Sequence, residues 1–197
     1  GLYLGYGTHY VDLYCGTPPQ RQTLIVDTGS SQTAFPCSAC TNCGATNYHT
    51  GPLFDETKSS TFRPHDCDTC SQRAECEEDT DQCFIAQYYS EGSNWKAFEA
   101  IDTCYIGGFH NKPITTNNNV DIVDPSHAAS FAFDTLLGCQ TKISGLFKTQ
   151  LADGILGMSN KKTAFWHQMF RAHKIRQKQF SLCYSRPDHA LREGSEA

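Results

Sequence analysis

Nowhere in this 197-residue chain does an apolar run reach the length needed to cross a bilayer, and no signal peptide stands at its start. It has no Asn-x-Ser/Thr glycosylation acceptor and no internal repeat. No basic block stands out and the formal net charge is −5, which removes nucleic acid from the expected partners. With 39% hydrophobic and 19% charged residues, the chain is long enough for one large domain with a proper core. It opens directly on strand-like sequence, as a mature form or an excised segment does, so its targeting signals are expected outside the sequence in hand.

Cysteine, by contrast, is abundant. There are 11, and seven lie between Cys37 and Cys83. That density points to an oxidising compartment and to disulfides stabilising by about 2–4 kcal/mol each. "CSACTNC" and "CDTC" also offer the C-x-x-C spacing of zinc ligands. Disulfides are the favoured reading, because the cluster lies in polar, loop-like sequence with no histidine at finger spacing, and Cys15, Cys104, Cys139 and Cys183 are scattered through apparent strands. An odd count leaves at least one cysteine without a partner inside the chain. The expected location is the secretory-pathway lumen, a vacuole or endomembrane, or the extracellular space. No metal is expected.

Hydropathy patterning predicts a mostly β chain. "HYVDLYC" alternates Val11, Leu13 and Cys15 against Tyr10, Asp12 and Tyr14, the period of a half-buried strand. "GTPPQ" supplies a turn and "RQTLIVD" a second strand, forming a hairpin. Residues 37–83 read as cross-linked loops. "CFIAQYYSEGSNWKAF" reads as two strands around a Ser90-Glu91-Gly92-Ser93 tip, and "TTNNN" (Thr115 to Asn119) as a loop. "SFAFD" alternates again and "LADGILG" is a short apolar run between glycines. Only "TAFWHQMFRAHKI" reads as helical, with Phe165, Met169, Phe170 and His173 near one face. "QFSLCYS" closes as a strand.

One stretch carries chemistry. In "LIVDTGSS" an apolar run delivers Asp27 into Thr28-Gly29-Ser30, although desolvation disfavours a charged carboxylate next to buried sequence. An apolar strand ending in Asp-Thr-Gly-Ser resembles the catalytic loop of the pepsin-like aspartic peptidases, and further segments agree in order. "YCGTPPQ" resembles the strand-turn before that loop, "YYSEGS" the flap, and "ADGILGMS" the psi-shaped loop backing the active site. The Cys-rich insertion and "LLGCQTKISGLF" are most similar to the nepenthesin and plasmepsin V branch. The resemblance covers essentially the whole chain.

The resemblance implies a pepsin-like β-barrel lobe with one short helix. It places the Cys-rich insertion at about residues 37–83, the flap at about 84–101 and the psi-loop segment at about 152–159, comprising Asp153, Gly154, Ile155, Leu156 and Gly157. It implies that Asp27 is the catalytic carboxylate and that Gly29 approaches it closely and donates an N–H. It further implies that Ser30 hydrogen-bonds the outer carboxylate oxygen and Thr28 reaches toward a second lobe. Tyr89 becomes the flap tyrosine within Tyr89-Ser90-Glu91-Gly92, with Tyr88 on the opposite face and the Trp95 indole N–H a candidate partner. Glu91 beside the channel would favour a basic substrate side chain, whereas the simpler reading is a solvated loop tip. The acidic run Glu75 to Asp81 reads as a solvated loop, and no histidine is given a role. No cofactor is implied.

The family needs two aspartates, and this sequence holds no second Asp-Thr/Ser-Gly. Residues 1–197 therefore read as an N-terminal lobe whose C-terminal lobe is absent, the chain alone being incomplete and inactive. The partners expected are a peptide or protein substrate and that missing lobe, with room for a membrane anchor in missing sequence. Two other readings stay open: a single-lobe homodimeric peptidase pairing Asp27 with its copy, and a non-catalytic peptide-binding lobe.

Overall fold

The computed structural model describes residues 1–44, 47–107 and 130–184; the expected "TTNNN" loop lies outside them. Ten strands form one sheet: β1 (Tyr3–Leu4), β2 (His9–Cys15), β3 (Gln20–Asp27), β4 (Ala34–Pro36), β5 (Arg63–Pro64), β6 (Glu75–Glu77), β7 (Gln82–Tyr88), β8 (Asn94–Ile106), β9 (Phe133–Ser144) and β10 (Gly154–Gly157). Six of them close on themselves. The ladder runs β2–β3–β10–β4–β9–β8 and returns to β2 through Leu13↔Ile106 to Cys15↔Cys104. Closure leaves these strands without a free edge.

The strands expected at β2 and β3 both form and pair as the expected antiparallel hairpin from Tyr10↔Ile25 to Cys15↔Gln20, and β2 buries Leu13 and Cys15 as its alternation predicts. Asp12 departs from it. Assigned to the outer face, it is buried, with the Arg21 guanidinium 3.9 Å away as counter-charge. β10 enters between β3 and β4, parallel to the first (Gly154↔Leu24 to Gly157↔Asp27) and antiparallel to the second at Ile155↔Ala34. This insertion makes the psi shape. It also explains the flanking glycines: a Cβ on Gly157 would strike the backbone of Ser31 and Gln32, and one on Gly154 the carbonyl of Ala34.

Alternation along the central strands divides the core. Phe35 and Leu156 point into a cluster with Leu13, Leu24, Phe54, Phe133, Leu137, Phe165 and Trp166. Their neighbours Ala34 and Ile155 point the other way, to Ile85, Trp95, Ile143 and Phe147 beneath the β7–β8 hairpin.

The helix is shorter than its pattern. α1 spans Phe165–Arg171 and buries Phe165, Trp166 and Gln168. His173, assigned to the buried face, is exposed and sits at φ 57°, where the chain leaves the helix. The Lys174 N–H bonds the Met169 carbonyl (2.9 Å) and the His173 N–H that of Phe170 (3.1 Å), a Schellman ending. The closing strand is not formed either. Residues 179–184 have no regular structure and Phe180 and Tyr184 are exposed, because no ladder partner lies beside them among the described residues.

The cysteines are paired as five disulfides: Cys15–Cys104, Cys37–Cys139, Cys40–Cys43, Cys67–Cys76 and Cys70–Cys83. Cys183 is free and exposed. Every cysteine of the two C-x-x-C stretches is consumed this way, which removes the zinc ligands. The insertion itself is mostly loop, with the short β5 and β6 and two 3₁₀ turns at Glu56–Lys58 and Cys67–Thr69.

Candidate active site

Asp27 is the last residue of β3 and is half-buried, with Thr28 and Gly29 exposed beyond it. Its backbone is held by β10, since its carbonyl accepts the Met158 N–H at 2.8 Å. Its Oδ1 accepts the Gly29 N–H at 2.8 Å. A Cβ on Gly29 would sit 3.2 Å from that same oxygen, so the residue without a side chain permits the close approach. The strand fixes the carboxylate, and the turn satisfies one oxygen while leaving the group facing outward.

Ser30 does not behave as expected. Its side chain is buried, and its hydroxyl makes no hydrogen bond to Asp27. The Ser30 backbone explains this: its carbonyl accepts the Ser159 N–H at 3.0 Å, turning the residue inward toward Tyr89.

The β7–β8 hairpin brings the second part of the site. Tyr89 N–H bonds the Ser93 carbonyl (2.9 Å) and Gly92 N–H that of Tyr89 (3.0 Å), with Gly92 at φ 96°. This tight turn presents Ser90 and Glu91 to solvent at its tip. Tyr88 is exposed and Tyr89 half-buried, so the two rings take opposite faces as expected. The indole N–H of the fully buried Trp95 donates to the Tyr89 hydroxyl at 3.3 Å, and the Tyr89 ring packs on Phe147 with centroids 5.3 Å apart. Burial pushes the Tyr89 phenol up to about 12; the Asp27 charge adds to this and, more weakly, so does Glu91, while the Trp95 and Ser30 contacts oppose it. Tyr89 and Asp27 therefore share one electrostatic environment.

Asp153 does something its sequence position did not announce. It lies outside β10, beside Thr23 and four residues along the ladder from Asp27. Its buried carboxylate accepts the Thr23 N–H (2.8 Å), the Thr23 hydroxyl (2.9 Å), the Thr50 hydroxyl (3.1 Å) and the Gly51 N–H (3.1 Å). Four donors on one carboxylate tie β3, the start of β10 and the Cys-rich insertion together. A cavity of about 190 Å³, lined by Gln22, Cys40, Cys43, His49, Leu53 and Asp153, adjoins this clamp, at the far end of β3 from Asp27.

A barrel lobe with an Asp-Thr-Gly-Ser loop beneath a tyrosine-bearing hairpin, backed by a psi-shaped glycine strand, is of the pepsin-like aspartic protease class. The chain belongs to the family described as xylanase inhibitor N-terminal, whose profile matches residues 9–194. It is similar to aspartic protease 5 of Toxoplasma gondii, with 30% identity over 215 residues covering 98% of this chain and 20% of that protein. Plasmepsin V of Plasmodium falciparum (isolate 3D7) shares 29% identity over 186 residues, 91% of this chain and 28% of that protein. A probable aspartic protease of Arabidopsis thaliana shares 27% over 191 residues, 94% and 38% respectively. The chain thus spans between a fifth and two fifths of the length of these relatives.

Proposed function

We propose that this chain is the N-terminal lobe of an aspartic endopeptidase of the secretory-pathway lumen, an endomembrane compartment or the extracellular space. Asp27 supplies one of two catalytic carboxylates, and a C-terminal lobe supplies the other. The observation that carries the reading is Asp27 itself, half-buried at a strand end, one oxygen held by the Gly29 N–H, the group open to the exposed side of its turn. Two carboxylates brought close cannot both ionise cheaply and share one proton, an arrangement for which this enzyme class is the standard instance. The ionised member takes a proton from a bound water, which attacks the peptide carbonyl; the protonated member gives its proton to the carbonyl oxygen. Tyr89 closes over the cleft, and Thr28 reaches toward the second lobe. Glu91, exposed at the hairpin tip, favours a basic substrate side chain. In the two-lobed enzyme, Glu91→Gln lowers the preference for basic over neutral peptides; an unchanged ratio removes that role.

The family description names an inhibitor, and this favours a second reading in which the lobe binds a partner without cleaving it. Peptide hydrolysis by the chain alone and by the chain joined to its second lobe separates the cases. Cleavage by the two-lobed form only is the expected result. Cleavage by a dimer of the chain alone would support the single-lobe peptidase, and peptide retention without cleavage by the two-lobed form would support the binding module.

A further inference from the structure

Residues 49–51 of the Cys-rich insertion run beside residues 151–153, the approach to β10, and hold them by consecutive contacts. The Thr50 N–H bonds the Leu151 carbonyl at 3.1 Å, while the Thr50 hydroxyl and the Gly51 N–H each bond the Asp153 carboxylate at 3.1 Å. His49 extends this series in both directions. Its Nδ1 lies 3.3 Å from the Ala152 carbonyl oxygen and its Nε2 3.2 Å from the Cys43 carbonyl oxygen. One half-buried ring thus spans from the psi-shaped segment to the Cys40–Cys43 disulfide loop. Gly44 makes room for it, since a Cβ there would stand 2.8 Å from Nε2 and 2.5 Å from the Lys148 carbonyl oxygen.

Both partners of the ring are main-chain carbonyls, which accept hydrogen bonds and never donate them. A neutral imidazole carries one N–H, so in either tautomer the other nitrogen turns a lone pair toward a carbonyl oxygen. The doubly protonated ring donates at both ends. Three charged groups on the packed elements surround it among the described residues. Asp153 already takes four donors on its carboxylate, and the Arg21 guanidinium of β3 reaches the Thr50 carbonyl at 3.4 Å. Lys148 meets Gly44 through its main chain. The ring also lines the cavity of about 190 Å³ beside Asp153, which gives solvent protons a route to it.

We propose that His49 is a proton-operated tether: doubly protonated, it ties the Cys43 loop to the approach to β10, and on losing a proton it releases one end. The contacts carry the effect inward. Thr50 and Gly51 hold Asp153, and Asp153 holds Thr23, four positions before Asp27 on β3. The insertion is therefore firmest against β3 in mildly acidic surroundings. That contribution is complete while the ring is doubly protonated, and it is lost as pH climbs through about 5–8, the interval in which imidazoles change charge. The tether does not depend on peptide cleavage, because none of its contacts is to Asp27.

Amide hydrogen exchange in the two-lobed protein, corrected for the intrinsic rate at each pH, tests this. The Thr41 amide, bonded to the Thr141 carbonyl, and the Thr50 amide lie on the two sides of the ring. Protection of at least one of them should fall by about threefold or more between pH 5 and pH 8, the loss of one hydrogen bond. The midpoint of that fall should coincide with the titration of the His49 ring nitrogens followed by NMR. In His49→Gln the protection of both amides should be the same at either pH. Should that variant fail to fold, the coincidence of midpoints in the parent protein carries the test by itself. A ring that titrates while both amides keep their protection, a ring that holds one charge state across the interval, or an equal fall in folded His49→Gln would overturn the proposal.

Discussion

At the scale of single residues, Tyr89 reports most directly on the site. Its phenol and that of Tyr105 are both raised to about 12 from 10.0, burial being the first cause in each case. A tyrosine that holds its proton more tightly folded than unfolded leaves stability intact below pH about 10 and withdraws it as pH climbs toward about 12. Tyrosinate absorbance should therefore show three of the nine tyrosines titrating late, Tyr3 raised by burial and the Asp12 charge and Tyr89 and Tyr105 raised to about 12, with thermal stability falling across that window. The neighbours predict opposite displacements. Asp27→Asn removes a negative charge and should lower the Tyr89 value, while Trp95→Phe removes a favourable N–H contact and should raise it. No change in either variant would separate Tyr89 from Asp27 electrostatically. The Gly29 N–H contact to Asp27 and the Trp95 N–H contact to Tyr89 were legible in the sequence because each joins positions within a short ordered motif. The inward turn of Ser30 was not, since it depends on the Ser159 N–H, more than a hundred residues away.

At the scale of elements, β10 and its anchor decide whether β3, the strand that ends in Asp27, keeps its place. Asp153→Ala leaves two backbone N–H groups and two hydroxyls without their acceptor. Urea unfolding should show a loss of about 3 kcal/mol or more. A loss below about 1 kcal/mol would mean that water replaces the clamp. Gly157→Ala should cost about 1–3 kcal/mol, since the added carbon meets the Ser31–Gln32 backbone with nowhere to move. At the end of α1 the sign reverses. His173 occupies the left-handed position of a Schellman turn, so His173→Gly should stabilise by about 0.5–1 kcal/mol. Strand patterning found β2, β3, β7 and β8; β7 alternates between buried and more exposed positions, whereas β3 buries Gln22, Thr23 and Leu24 in succession. It failed for residues 179–184, where an extended pattern is present but no neighbouring strand completes it. It overran α1, because apolar spacing continued past a backbone reversal that a histidine does not announce.

At the scale of the whole lobe, the disulfides divide by the length of chain they close. Cys15–Cys104 staples β2 to β8 across 89 residues and Cys37–Cys139 ties the end of β4 to β9 across 102. Loop-closure entropy assigns each about 4–5 kcal/mol, far more than Cys40–Cys43, which spans a separation of 3. Paired Cys→Ala replacement should reproduce that order in chemical unfolding, and equal losses would contradict it. Cysteine density announced an oxidising compartment, but the partners could not be read in advance because four of the five bridges join segments that the barrel (Cys15–Cys104, Cys37–Cys139) or the insertion (Cys67–Cys76, Cys70–Cys83) brings together only on folding. The central claim is that Asp27 is one half of a proton-sharing carboxylate pair completed by a second lobe. Its most direct test is peptide hydrolysis by the two-lobed protein and by its Asp27→Asn variant, with matched melting curves. The account predicts that the variant loses about 10²–10⁴-fold or more of the cleavage rate; a folded variant cleaving at the parent rate would contradict it.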